Sequence, residues 1–165
     1  MRKRCPSQRG TLPEVEVCYD RGLRAEIPSK VKIREIVPMN KDIVISLVVP
    51  VYGVEKYIAE FARSVFSQTY PHVQFIFVND GTKDNSIQVL NDVIDNEFPA
   101  LRDRIVIVDK KNGGLPAARK TGLEYVTGDY VYHVDPDDWL TPGSFEAIAA
   151  TASVTDADII FFNYV

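Results

Sequence analysis

The stretch IVISLVVPV, Ile43–Val51, is a run of apolar, largely β-branched residues interrupted only by Ser46. A strand with one wet face alternates apolar and polar side chains. A run that does not alternate is expected where both faces are covered, as in a parallel sheet. Directly after it the period changes. In GVEKYIAEFARSVFSQTY, residues Tyr57, Ile58, Phe61, Ala62, Val65 and Phe66 recur at three- and four-residue spacing, the wide apolar stripe of an amphipathic helix. Pro71 closes the connection, and VQFIFVND, Val73–Asp80, repeats the character of the first strand.

The alternation continues to the end of the chain. A helix from about Asn85 to Asn96 places Ile87, Leu90, Val93 and Ile94 on its inner face. RIVIVDK is the third strand. Pro116 suits the first position of a helix running to about Val126. YVYHVD is a fourth strand, a short helix follows Pro142, and DIIFFNYV is expected as a fifth strand. This order predicts an α/β fold, Rossmann-like, with a mostly parallel central sheet flanked by helices. Ligands of such sheets bind outside the carboxyl ends of the strands. Those ends read Pro50-Val51-Tyr52, Asn79-Asp80-Gly81, Lys111-Asn112-Gly113-Gly114 and Asp135-Pro136-Asp137-Asp138.

The length of 165 residues suits one domain, assigned to residues 43–165. Residues 1–42 precede it as a basic extension, net +4, against −8 for the remainder. Termini of this kind are commonly solvated and mobile, and a contact with anionic lipid or an acidic partner is the alternative. The overall charge of −4 argues against a nucleic-acid partner. Cys5 and Cys18 both lie in the extension and match no metal pattern. MRKRCPSQRG is positive but has no apolar stretch behind it, which predicts no signal peptide. No run approaches the ~18 apolar residues of a membrane span. The expected location is the cytoplasm, with peripheral association at the inner face of the membrane left open.

Three carboxylates crowd into four positions after the fourth strand: Asp135, Asp137 and Asp138. Like charges so close repel. Asp135 and Asp137 are two apart, so in extended geometry they point the same way, and a hard cation would remove their repulsion. Mg2+ or Mn2+ in such a site completes its shell with water and substrate phosphates. A helix N-cap is the alternative, and for Asp138 a cap or a local turn is the expectation. An EF-hand is excluded, because its sixth position requires Gly and here holds Leu140.

Asp80 before Gly81 is either an acceptor for a ring N–H of a base or an Asp-Gly turn bonded to its own backbone. KNGGLPAARKTGL offers two glycines before a helix N-terminus, with Arg119 one turn in and Lys110 and Lys111 flanking. That suits a diphosphate or a plain β–α turn, and matches neither the dinucleotide fingerprint nor the Walker loop. His72 and His133 belong to no nucleophile-base arrangement.

Taken together, SLVVPVYGVEKYIAEFARSVFSQTY, FIFVNDGTKDNS and NGGLPAARKTGLEYVTGDYVYHVDPDDWLTPG resemble the nucleotide-binding half of the inverting family 2 glycosyltransferases, from Ile43 to Val165. The resemblance implies a nucleotide-diphospho-sugar transferase fold of the GT-A type. It puts Pro50, Val51 and Tyr52 on the nucleoside, although Gly53 stands where the family has Asn. It puts Asp80 on the uracil edge, with Asn79 at a position that is often acidic. Asn112, Gly114, Ala118 and Arg119 match the segment near the diphosphate and donor sugar, with Lys120 in place of a final Asn. Asp135 and Asp137 match the D-x-D motif, Asp137 as direct metal ligand and Asp135 on the ribose or in the metal shell.

The implied reaction is transfer of a sugar from a nucleotide diphosphate, with UDP the expected nucleotide, to an acceptor hydroxyl of a glycan or lipid-linked acceptor, with inversion and with Mn2+ or Mg2+. No catalytic base is identified; the family's base is expected beyond Val165, in an acceptor half. A catalytically incomplete nucleotide-sugar or metal-binding fragment is the alternative. An Asp-nucleophile phosphatase would need Thr or Val where Trp139 stands. An open sheet ending at FFNYV is expected to expose apolar surface and favour homo-oligomers or aggregation.

Overall fold

The computed structural model describes residues 42–155 and 157–161. The basic extension up to residue 41 and its two cysteines lie outside the described residues. Four strands, β1 (Ile45–Val51), β2 (Val73–Asn79), β3 (Ile105–Asp109) and β4 (Tyr130–His133), form one sheet in the order β3-β2-β1-β4. All three pairings are parallel, with Ile45 opposite both Val73 and Tyr130, and Asn79 opposite Asp109. Four α-helices alternate with them: α1 (Ile58–Phe66), α2 (Ser86–Glu97), α3 (Leu115–Leu123) and α4 (Ser144–Thr155). A 3-10 turn, Pro99–Arg104, leads into β3.

The non-alternating first strand has its predicted cause: every residue of β1 is buried. Its odd-numbered residues Ile45, Leu47, Val49 and Val51 join Phe75 and Phe77 of β2 in a core closed by α1, α2 and α4. Val48 joins Ile76 and Val78 on the opposite face, under Ala118 of α3. Gly122 is what lets α3 come this close, since a Cβ there would lie 2.4 Å from Val48 Cγ1. The helix stripes are narrower than predicted. Ile58, Phe61, Ala62, Val65 and Phe66 are buried, but Tyr57 stands outside the helix and is exposed. Ile87 packs on the core only partly.

The end of the chain departs from expectation. β4 stops at His133, two residues short of Asp135. Residues 157–161 carry no strand, so the fifth strand does not begin at Asp158, and residues 162–165 lie outside the described residues. Ile159 and Phe161 are exposed. No described helix is long and apolar enough to cross a membrane.

Candidate functional site

Parallel strands put all four carboxyl ends on one rim. The chain winds outward through β1, β2 and β3, then returns across β1 to place β4 on its far side. The order therefore reverses beside β1, the kind of switch point at which ligands of such sheets bind, and the loops that follow β1 and β4 stand side by side there. The structure brings Pro50, Val51, Tyr52, Asp80, Asn112, Gly114, Arg119, Asp135 and Asp137 to this one edge. Pro50 and Val51 are buried in β1, and Tyr52, the next residue, is exposed.

Asp80 is buried, 3% exposed, at the end of β2. Its Oδ1 accepts from the Lys110 ammonium and from the Gly113 N–H at 2.9 Å, and its Oδ2 accepts from the Gly114 N–H at 2.8 Å. Burial alone would raise this carboxyl; the Lys110 ammonium and the two amides outweigh it and hold the group below the usual carboxylate range. Neither sequence alternative describes this arrangement fully. Asp80 is the anchor of the glycine loop that follows β3, and Lys110 is its counter-ion. Gly81, at φ +68, is required where it stands, because a Cβ would lie 3.0 Å from the Asn112 backbone nitrogen.

On the far side of β1, Arg119 in α3 donates from Nη2 to Asp135 Oδ1 at 2.7 Å. Both side chains are about two-fifths exposed, so the pair contributes at most ~1 kcal/mol and serves chiefly to aim the two groups. The Nε–H of Arg119 is buried without a hydrogen-bond partner among the described residues.

Asp135 to Asp138 form a turn, closed by the Asp138 N–H donating to the Asp135 carbonyl at 3.1 Å. The extended geometry expected for Asp135 and Asp137 is thus replaced by a turn, as Pro136 favours. Asp138 is the turn residue and no cap, because α4 begins six positions on. Asp137 and Asp138 are exposed. Burial, then the Asp137 and Asp135 carboxylates, push the Asp138 carboxyl up, so the three acids share one field. No three His, Cys, Asp or Glu side chains among the described residues form a ready metal cage. The donor set nonetheless suits Mg2+ or Mn2+, which bind through one or two carboxylates and keep water and phosphate ligands.

Two supports were not foreseen. Gln68, just past α1, accepts at Oε1 from the Gly143 and Ser144 amides (3.0 and 3.2 Å) and donates from Nε2 to the Thr141 carbonyl at 3.0 Å. It fastens the start of α4, and with it the acidic turn, to α1. The second lies in TKDNS, where Thr82, Asp84 and Ser86 bind one another and the loop after β1. Its signal is legible in hindsight, as four cap-type residues in five positions at the start of a helix.

Comparison with known proteins agrees with this fold. The family model "Glycosyl transferase family 2" matches residues 46–165. Glycosyltransferase GlyA of Streptococcus pneumoniae serotype 4 is 38% identical over 120 residues, which are 73% of this chain and 16% of GlyA. Minor teichoic acid biosynthesis protein GgaB of Bacillus subtilis is 36% identical over 105 residues, 62% of this chain and 11% of GgaB. Among solved structures, S. aureus TarS 1–349, in complex with UDP and with UDP-GlcNAc, superposes with a TM-score of 0.59 at 26% identity. The match covers 66% of this chain and 32% of the UDP complex's chain. The chain thus spans a sixth or less of these two relatives' length and about a third of the solved structure's. With a family match over nearly three-quarters of its length and a GT-A fold to go with it, the chain belongs to glycosyl transferase family 2.

Proposed function

We propose that the chain forms the donor-binding part of a glycosyltransferase that moves a sugar from a nucleotide diphosphate, UDP in the first instance, to an acceptor hydroxyl with inversion. The observation that carries this reading is the convergence on one rim of the Asp80–Lys110 loop anchor, the Arg119–Asp135 pair and the exposed acidic turn at Asp137. UDP as nucleotide is supported by the TarS complexes, and a role in polysaccharide synthesis by the name of GgaB, a minor teichoic acid biosynthesis protein.

In this reading the residues take the following roles. Tyr52 and the backbone at Pro50 and Val51 line the nucleoside side, with Asp80 behind them setting the Asn112–Gly114 loop. Arg119 brings positive charge toward the diphosphate. Asp137, with Asp135, would hold Mn2+ or Mg2+, which when bound offsets negative charge on the departing diphosphate, worth several kcal/mol. In the transfer the acceptor oxygen bonds to the anomeric carbon while the bond to the diphosphate oxygen breaks. The nucleoside diphosphate leaves with the electron pair, and the hydroxyl proton passes to a base. Calorimetric titration of UDP with Mn2+, repeated with EDTA and with Asp137→Ala, tests the site. Binding that needs metal and is lost in the variant supports it. Absence of binding by folded protein overturns it, and binding without sugar transfer marks a donor-binding module.

A further inference from the structure

Tyr52 is 53% exposed, and the next residue, Gly53, has a positive φ of +70 with nothing within 4 Å of where a Cβ would be. Crowding therefore does not impose the path of this loop. Three consecutive backbone amides do. The Gly53 N–H donates to Thr82 Oγ1 at 2.9 Å, the Val54 N–H to Ser86 Oγ at 3.1 Å and the Glu55 N–H to Asp84 Oδ2 at 3.1 Å. The three acceptors are side chains of one short segment, residues 82–86.

Asp84 gives this receiver its polarity. Both hydroxyls donate to its Oδ1, Thr82 at 2.7 Å and Ser86 at 2.6 Å, and the Ser86 N–H adds a third bond at 3.1 Å. A hydroxyl has a single proton. With that proton committed to Asp84, only lone pairs face the Gly53 and Val54 amides. Four bonds to one side chain use the acceptor capacity of a carboxylate, and an amide would turn an N–H toward the N–H of Glu55 or toward the hydroxyls. Glu55 closes the clamp in reverse, accepting the Asn85 N–H at 3.1 Å.

We propose that Asp84, acting through Thr82 and Ser86, is a positioning residue for nucleotide binding: it fixes the loop that presents Tyr52. The assignment rests on the nucleotide reading above. The same stretch of chain, through Asp80, also holds the Gly113 and Gly114 amides, so the β2–α2 loop sets the loops on both of its sides.

The test is calorimetric titration of UDP with Mn2+ into the full chain and four variants. Thr82→Val removes the acceptor for Gly53, and Thr82→Ser restores it. Asp84→Asn disrupts the receiver. Ser46→Ala removes a buried hydroxyl bonded to Gln74 and Gly128 at the amino end of the sheet, as a measure of general destabilisation. Thr82→Val is expected to weaken UDP about 5- to 10-fold and Asp84→Asn by at least as much, whereas Thr82→Ser and Ser46→Ala stay within about 2-fold of wild type. Hydrogen exchange at the Gly53, Val54 and Glu55 amides should quicken in Thr82→Val. Unchanged UDP affinity in a folded Thr82→Val protein overturns the assignment alone, as does equal weakening by Ser46→Ala. Should Asp84→Asn not fold, the Thr82 pair decides. A wild-type chain that does not bind UDP overturns the nucleotide reading, and the assignment with it.

Discussion

Lys110 and Asp80 form an ion pair whose acid is almost wholly buried and whose ammonium is 18% exposed. Removing one partner of such a pair leaves a buried charge uncompensated, which outweighs whatever the intact pair contributes. Lys110→Met is expected to destabilise the fold by about 3 kcal/mol, read from urea unfolding, and Asp80→Asn by less, since an amide needs no counter-ion. Asp84 supplies a pH signature. Burial would raise its carboxyl, but the Ser86 and Thr82 hydroxyls and the Glu55 and Ser86 amides bring it down to about 2. A lowered folded-state pKa means stability that is present above the unfolded value, near 3.9, and lost as pH falls through the folded one. Protection of the Gly53–Glu55 amides is therefore expected to hold from neutral pH to about 4 and to fade toward pH 2. Thermal unfolding of Asp84→Asn should lack that acid limb.

At the scale of elements, α3 lies on the sheet through a glycine. Gly122→Ala would gain about 1 kcal/mol of helix propensity. It would also drive a methyl to 2.4 Å from Val48 Cγ1 and 3.3 Å from Val78 Cγ2, both fully buried side chains. Overpacking of that kind costs ~1–3 kcal/mol, so a net fall in Tm is expected, with a shift of α3 that moves Arg119. The sequence carried most of this architecture. Four strands and four helices could be read from Val49, Phe61, Ile76 and Leu90 because periodicity is a local property that the sheet merely completes. Asp137 and Asp80 could be marked because their positions at strand ends were legible. The Asp84 receiver, the Gln68 fastening and the Lys110 counter-ion were not, since each joins loops that are distant in sequence and no period encodes such a meeting. In DIIFFNYV the described residues 158–161 carry no strand for a related reason: an apolar run states that a segment is to be covered, not which partner covers it.

For the molecule as a whole, the sheet leaves apolar surface in water on the β4 side. Val131 of β4 is 40% exposed, and Ile159 and Phe161 are 60% and 57% exposed. Exposed apolar side chains of this kind favour association. Light scattering is expected to give an apparent mass that rises with protein concentration, and a constant monomer mass at high concentration would contradict this. The Gln68 contact has a larger consequence. The residues proposed for the nucleoside follow β1, the acidic residues follow β4, and one carboxamide joins the two sectors through α1 and α4. Two ligands that share such a joint must influence each other's affinity equally, because thermodynamic coupling is reciprocal. In the wild-type chain Mn2+ should tighten UDP and UDP should tighten Mn2+ by the same factor. Gln68→Ala should bring that factor closer to one and leave the affinity of UDP without metal nearly unchanged, a loosening of communication between two sites that each remain intact.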